Sequence, residues 1–235
     1  SMARIVFILS IVLFSSQVNS ALKVGIIDIP PFSFSDGQQR GIHIDYVREV
    51  FKLAKIPATL QSLPYPRVVE GISAGKVDIA LMFRRDELPN TIEVCKSFGF
   101  HNLIVTRKGV HASNLKGLEN LRVGVIRKAQ FGKEFNEADY FQKIYLENYS
   151  QSFKMLRLSR LEAFIISRPA FLFFKQSPKF QDISFEKPFV FNKRHNYFYA
   201  HKDVDRTKLN KLQKANQALL DSNFIETIVR KYLID

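Results

Sequence analysis

The sequence predicts an α/β protein built as two similar lobes, and three observations carry that prediction. Between Leu22 and Phe83, apolar strand-like runs alternate with stretches whose apolar residues recur at helical spacing, giving strand, helix, strand, helix, strand. From Leu121 to Ile166 the same succession starts again. After Tyr197–Ala200, a further strand-like run, the chain closes on two amphipathic helical stretches. Strands joined through helices form parallel sheets by right-handed crossovers, and two such halves in tandem imply two lobes of comparable design.

Leu22 to Ile27 reads as a strand ending at Asp28, followed by Pro30-Pro31-Phe32-Ser33-Phe34 and a turn at Asp36-Gly37. The prolines stiffen the backbone and present Phe32 and Phe34 in a set orientation, either as a stacking floor for a ligand or as a core pair. Val47, Val50, Phe51 and Ala54 recur at i, i+3, i+4 and i+7, so a helix begins near Ile42. Ala58 to Leu63 is a second strand. It runs into Pro64-Tyr65-Pro66-Arg67, where a proline tolerated in the first helical turn starts a helix carried by Val68, Val69 and Ile72. Gly75 stops that helix, and Val77 to Phe83 is apolar almost throughout, as befits a strand covered on both faces. Arg84 and Arg85 leave its carboxyl end, where α/β sheets usually hold ligands.

In the second half, Leu103 to Thr106 is a short strand-like run and Lys108 to Lys116 is polar and turn-rich. Leu121 to Ile126 is a strand, Ala129-Gln130-Phe131-Gly132 opens a helix, and Tyr145 to Tyr149 is weakly strand-like. A helix around Ser152 to Leu158 precedes a buried strand, Leu161 to Ile166, that ends at Ser167-Arg168. Of the two closing helices, the first carries Leu209, Leu212, Ala215 and Leu219, and the second Phe224, Ile225, Ile228, Val229 and Tyr232.

Composition bounds the class. With 235 residues, 46% hydrophobic and 24% charged, the chain can bury a full core, which carries 22 phenylalanines and no tryptophan. Arg4, the uncharged run Ile5 to Phe14 and the small residues before Ala21 predict a signal peptide over residues 1–20 with cleavage near Ser20-Ala21. No later stretch is long enough to span a bilayer, so an exported, periplasmic protein is expected. Cys95 is the one cysteine, which excludes an internal disulfide, and it reads as buried and inert. The net charge of +13 is scattered along the chain, and together with export this argues against nucleic acid.

The order of several short motifs resembles a known family. Val24-Gly25 precedes Pro31-Phe32-Ser33-Phe34, then come Gly41-Ile42-His43-Ile44-Asp45 and Gly75-Lys76-Val77-Asp78. Later, Leu115-Lys116-Gly117 precedes Arg122-Val123-Gly124-Val125, and Arg160-Leu161-Glu162-Ala163 follows. Over essentially the whole exported part, the chain resembles the periplasmic solute-binding proteins of the amino-acid type, family 3, with the type II periplasmic binding fold. That resemblance implies a two-lobed α/β fold with two hinge crossings, near Leu103 to Lys108 and Asn196 to His201, and a ligand trapped as the lobes close. It divides the chain into 21–105 as the first part of lobe 1, 106–196 as lobe 2, and 197–235 returning to lobe 1.

The resemblance also implies an arginine for a ligand α-carboxylate and an aspartate for its α-amino group. Here those positions fall on Asn90, with Glu87 at the accompanying threonine position, and near Ser167. A free α-amino acid is therefore disfavoured, and a small polar or anionic solute is expected instead. Arginines near strand ends and helix starts, Arg67, Arg84, Arg85, Arg127 and Arg168, offer planar forks for carboxylate or phosphate, about two of them reaching ligand. The candidate ligand-binding set is Asp28, Phe32, Phe34, Tyr65, Arg67, Phe83, Arg85, Arg127, Gln130 and Ser167.

No nucleophile-elbow, zinc-protease or phosphate-loop pattern is present, so neither catalysis nor a cofactor or metal is expected. His43, His101, His111, His195 and His201 lack metal-ligand spacing and read as surface or hydrogen-bonded residues. An enzyme of the cyclohexadienyl-dehydratase kind, which the family resemblance also admits, would draw its acid from Glu87, Glu134 or Glu162. The expected partners are a small-molecule ligand and either an inner-membrane ABC permease or a membrane sensor, met by a monomer.

Overall fold

The computed structural model describes residues 20–233; the expected signal peptide therefore lies outside the described residues, apart from Ser20. Eight strands form one mixed sheet in the order β2-β1-β3-β8-β4-β7-β5-β6. The first trio is β1 (Leu22–Ile27), β2 (Ala58–Leu63) and β3 (Ile79–Phe83), with α1 (Ile42–Ala54) and α2 (Tyr65–Ser73) as its crossovers. β1 pairs parallel with both neighbours. The second trio repeats this plan: β5 (Arg122–Ile126) pairs parallel with β6 (Gln142–Leu146) and β7 (Ala163–Ser167). Its crossovers contain α3 (Lys133–Glu137) and α4 (Tyr149–Arg157).

The expected parallel sheet holds inside each trio and fails between them. Two long strands, β4 (Thr91–Thr106) and β8 (Phe189–His201), run antiparallel to each other and stitch the trios together. β8 pairs with β3 over Asn196–Ala200, and β4 pairs with β7 over Asn102–Thr106. The runs expected to be crossings are thus the anchored ends of these strands. Ahead of the paired end of β4, register shifts interrupt the β4–β8 ladder between Glu93 and Cys95, Lys96 and Gly99, and Asn102 and Leu103. Such irregularities bend a strand pair locally.

Other expectations are corrected by local chemistry. Ala129–Gly132 does not open a helix; Gly132 has φ of 103°, and the five-residue α3 begins only at Lys133. The strand expected at Tyr145 to Tyr149 is β6, ending at Leu146, and Asn148 then caps α4 by accepting from the Gln151 amide. α5 (Arg168–Gln176), not anticipated, starts with Pro169 in its first turn and buries Ala170, Phe171 and Phe174. α6 (Arg206–Leu220) and α7 (Phe224–Leu233) pack on α1 of the first trio, as expected, while α7 also meets α5.

The phenylalanines explain how the core manages without tryptophan. Phe153 on α4 sits at ring distances of 4.9 to 6.4 Å from Phe164, Phe171, Phe174, Phe180 and Phe185. One apolar cluster runs from the first trio through to this group, and a second, around Phe131, Phe135 and Phe141, lies in the second trio.

Candidate functional site

The carboxyl ends of β1 and β3 face the carboxyl ends of β5 and β7, and the starts of α1, α2 and α4 converge on the same place. A cavity of about 50 Å³ lies there. Its walls are aromatic and aliphatic: Phe32, Phe83, Phe100, Phe131, Tyr149, Ile27, Ile29, Met82 and Ile126. Its polar side chains are those of His43, Tyr65, Tyr149, Ser167 and Asn196, and none of the lining residues carries a carboxylate or an amino group.

Each polar side chain is placed by a local feature of the chain. Tyr65 opens α2, held there because Pro64 and Pro66 fix the entry and first turn. Ser167 is the last residue of β7 and borders the cavity just before α5 begins. His43 is the second residue of α1, whose first amides are taken by the preceding turn: the amides of Ile42 and His43 donate to the carbonyls of Pro31 and Phe32, both at 2.9 Å. Gly41 makes that approach possible, since a Cβ there would lie 2.4 Å from the Phe32 carbonyl oxygen at a φ of 138°.

His43, Tyr65 and Ser167 are 6%, 7% and 2% exposed, and the Tyr65 Oη, the Ser167 Oγ and both ring nitrogens of His43 make no hydrogen bond among the described residues. Buried polar atoms are nearly always paired, so three orphaned side chains around one cavity mark it out. Burial pushes the His43 imidazole down to about 3, so the ring is neutral. Burial likewise raises the Tyr65 and Tyr149 phenols, and the Arg85 guanidinium beside Tyr65 partly opposes the shift there. Asn196 differs in being satisfied, donating to the Phe98 carbonyl at 3.3 Å.

The lobes are latched across the cavity's edge. Arg85 donates from Nη1 to the Lys128 carbonyl at 2.6 Å, and its own amide donates to the Tyr199 hydroxyl. Phe83 meets Phe131 edge-on at 6.1 Å, and the Asn192 side chain donates to the Phe131 carbonyl at 2.6 Å. A second cavity, about 440 Å³, lies on the far side of the turn after β5. Arg85, Arg127, Lys128, Gln130 and Lys143 line it, and Ala129 borders both cavities.

Of the expected set, Phe32, Tyr65, Phe83 and Ser167 come together in the first cavity. Arg85, Arg127 and Gln130 gather at the second, where Arg127 also pairs with Glu147 at 2.8 Å. Three residues are placed elsewhere. Asp28 borders a separate groove with Glu147 and Asn148. Phe34 packs on Phe173 and Tyr232 with Arg40 over its face at 4.1 Å. Arg67 stands exposed on α2.

The position matched to the carboxylate-binding arginine, Asn90, is an exposed turn residue at φ of 57° that donates to the Ser73 carbonyl. Cys95 is only half-buried, its thiol pushed up to about 12 by burial. Of the acids considered for catalysis, Glu87 and Glu134 are exposed and Glu162 is bound to Arg122; none lines the cavity. Sequence reasoning missed His43, Phe100, Phe131, Tyr149 and Asn196 as cavity residues, and its reading of His43 as a surface or hydrogen-bonded residue is corrected. The available signal was a lone imidazole between two isoleucines at a helix start, just after a glycine.

Residues 22–235 match the family described as bacterial extracellular solute-binding proteins, family 3. No curated protein matches the chain. Among solved structures, a mutant of ArgBP from T. maritima is similar, with 17% identity, 92% of this chain and 96% of that one covered, and a TM-score of 0.75. The GluR0 ligand-binding core from Nostoc punctiforme, in complex with L-glutamate, has 16% identity over 91% and 100% of the two chains and a TM-score of 0.73. A putative L-cystine ABC transporter from Listeria monocytogenes has 20% identity over 91% and 95%, again with a TM-score of 0.73. At these identities the likeness is one of fold.

Proposed function

The chain belongs to the bacterial extracellular solute-binding proteins of family 3, and we propose that within that family it is a periplasmic protein that traps one small solute between its lobes for an inner-membrane ABC permease. The observation that carries the reading is the position and chemistry of the 50 Å³ cavity: it lies where the carboxyl ends of both parallel trios face each other, ringed by aromatic side chains and by polar atoms without partners. The solute has an apolar or aromatic body held against Phe32, Phe83, Phe100 and Phe131, and a polar end that reaches Tyr65 and Ser167. An anionic group on that solute would have to sit at the edge, where Arg85 stands beside Tyr65. A free α-amino group finds no carboxylate in the lining to meet it, which separates this cavity from one made for ordinary amino acids.

Entry requires the lobes to part and reclosure to remake the Arg85–Lys128 and Phe83–Phe131 contacts, so ligand affinity is set by contacts made to both lobes at once. One similar structure is named for an ABC transporter and another for a ligand-binding core. That second likeness supports an alternative use, in which the occupied protein is read by a membrane sensor.

A thermal-shift screen of the purified chain against aromatic acids, dicarboxylates, amides, phosphorylated metabolites and amino acids tests the reading. A solute at a hundred times its dissociation constant adds about 2.7 kcal/mol, which is roughly 5–10 °C for a chain of this size. A shift with an aromatic or otherwise largely apolar solute is expected, and a shift with free amino acids alone would reject the cavity chemistry argued here.

A further inference from the structure

The backbone at His43 is fixed by the start of α1, and its ring is fixed by packing. Its amide and that of Ile42 are bound to Phe32 and Pro31, and Gly41 lets the Phe32 carbonyl approach more closely than any Cβ would allow. The ring is held between Phe32, at a centroid distance of 4.7 Å, and Phe98, at 5.6 Å. From there it borders the cavity with Nδ1 and Nε2 both lacking hydrogen-bond partners among the described residues. The other titratable groups in the lining are the phenols of Tyr65 and Tyr149, which burial keeps protonated; the charges that reach the cavity, the Arg85 and Arg194 guanidiniums, do so through Tyr65 and are not part of the lining around the imidazole.

Resting on the solute-binding reading above, we infer that His43 is a specificity-determining residue that reads an uncharged donor–acceptor group on the solute, of the amide, lactam or phenol type. A neutral imidazole presents one donor and one acceptor, so its complement is a group that presents one of each without net charge. Beside His43 a carboxylate or ammonium would meet no opposite charge in the lining, the nearest guanidiniums, Arg85 and Arg194, lying on the Tyr65 side of the cavity. The aromatic walls suit a planar body carrying that group, because ring faces and edges pack against it. Tyr65 and Ser167 add hydroxyls that donate or accept as the group requires.

Matched compounds that differ only in charge test this. Calorimetry and thermal shift with nicotinamide against nicotinate, benzamide against benzoate, and uracil, with arginine and glutamate alongside, should give binding for a neutral compound and at least tenfold weaker binding for its charged counterpart. His43→Phe keeps the ring packing and removes both hydrogen-bonding atoms; it should weaken the neutral compound about tenfold or more without lowering the melting temperature of the unliganded protein. His43→Gln, which keeps a donor and an acceptor, should retain more affinity than His43→Phe. Equal or tighter binding of the charged member overturns the inference and leaves solute binding standing. Unchanged affinity in His43→Phe also overturns it, since the ring would then only pack. If none of these compounds binds, the inference falls; if the broader screen is also silent, the solute-binding reading falls with it.

Discussion

Glu162 accepts from the backbone amide of Arg122 at 2.9 Å and from its Nε at 3.0 Å, tying the strand start of β5 to the segment before β7. The guanidinium beside it holds the Glu162 carboxyl below its usual 4.5. A depressed carboxyl stabilises the fold fully above its unfolded value, and the contribution is lost as pH falls through the folded value. Glu162→Gln is expected to cost about 1–2 kcal/mol at neutral pH in urea melts, a difference that shrinks below about pH 4. His43 works in the same direction over another window. Its ring stays neutral down to about 3 while an unfolded histidine protonates near 6.5, so the unfolded chain binds the extra proton and stability falls as pH drops between those values. His43→Phe should flatten that slope, which a pH series of melting temperatures reads directly.

At the scale of elements, Asn216 on α6 is the joint that fastens three pieces together. Its Oδ1 accepts from Tyr46 of α1 at 3.0 Å and from Ser97 of β4 at 2.7 Å, and its Nδ2 donates to the Lys96 carbonyl at 2.9 Å. Tyr46, Ser97 and Asn216 are all buried, while the bond to the Lys96 carbonyl is partly so. Replacing it by an apolar side chain leaves two hydroxyls and a carbonyl without their partner, which exceeds the loss of a single bond. Asn216→Leu should lower stability by about 2–4 kcal/mol, read as a fall in the urea midpoint with the slope unchanged. β4 itself was legible only at its end. Leu103–Thr106 is continuously buried, whereas Thr91–His101 mixes charges, a glycine and half-buried residues because its pairing with β8 shifts register there. No period of two survives a bulged strand, so the pattern that announces β1 or β7 is absent.

For the whole molecule, closure depends on a few bonds made between lobes, of which Arg85 to the Lys128 carbonyl is one and Arg194 to the Arg84 carbonyl supports the same edge. Such contacts hold the closed state against opening and so govern release more than capture. Arg85→Ala is expected to raise the dissociation rate of a bound solute about tenfold, the scale of one charge-assisted bond at a partly exposed edge, while the unliganded melting temperature moves little. Stopped-flow release measurements separate that outcome from a direct ligand contact at Arg85, which would also slow association of anionic solutes.

Periodicity and turn residues by themselves determined the two-lobed α/β plan and the order β1, α1, β2, α2, β3, because each of these is written in residues a few positions apart, whereas the return of the last helices to the first trio came from the family resemblance. Tyr65, Phe32 and Ser167, which line the first cavity, were singled out in the sequence for the same reason: each stands beside a proline, a strand end or a helix start. Only the tertiary structure decided that the sheet is continuous and mixed, that Phe34 and Arg67 face away, and that His43 faces in. Those outcomes depend on pairings such as β4 with β8 and on Gly41 meeting Phe32, where residues brought together in space settle a side chain's direction that local spacing leaves open.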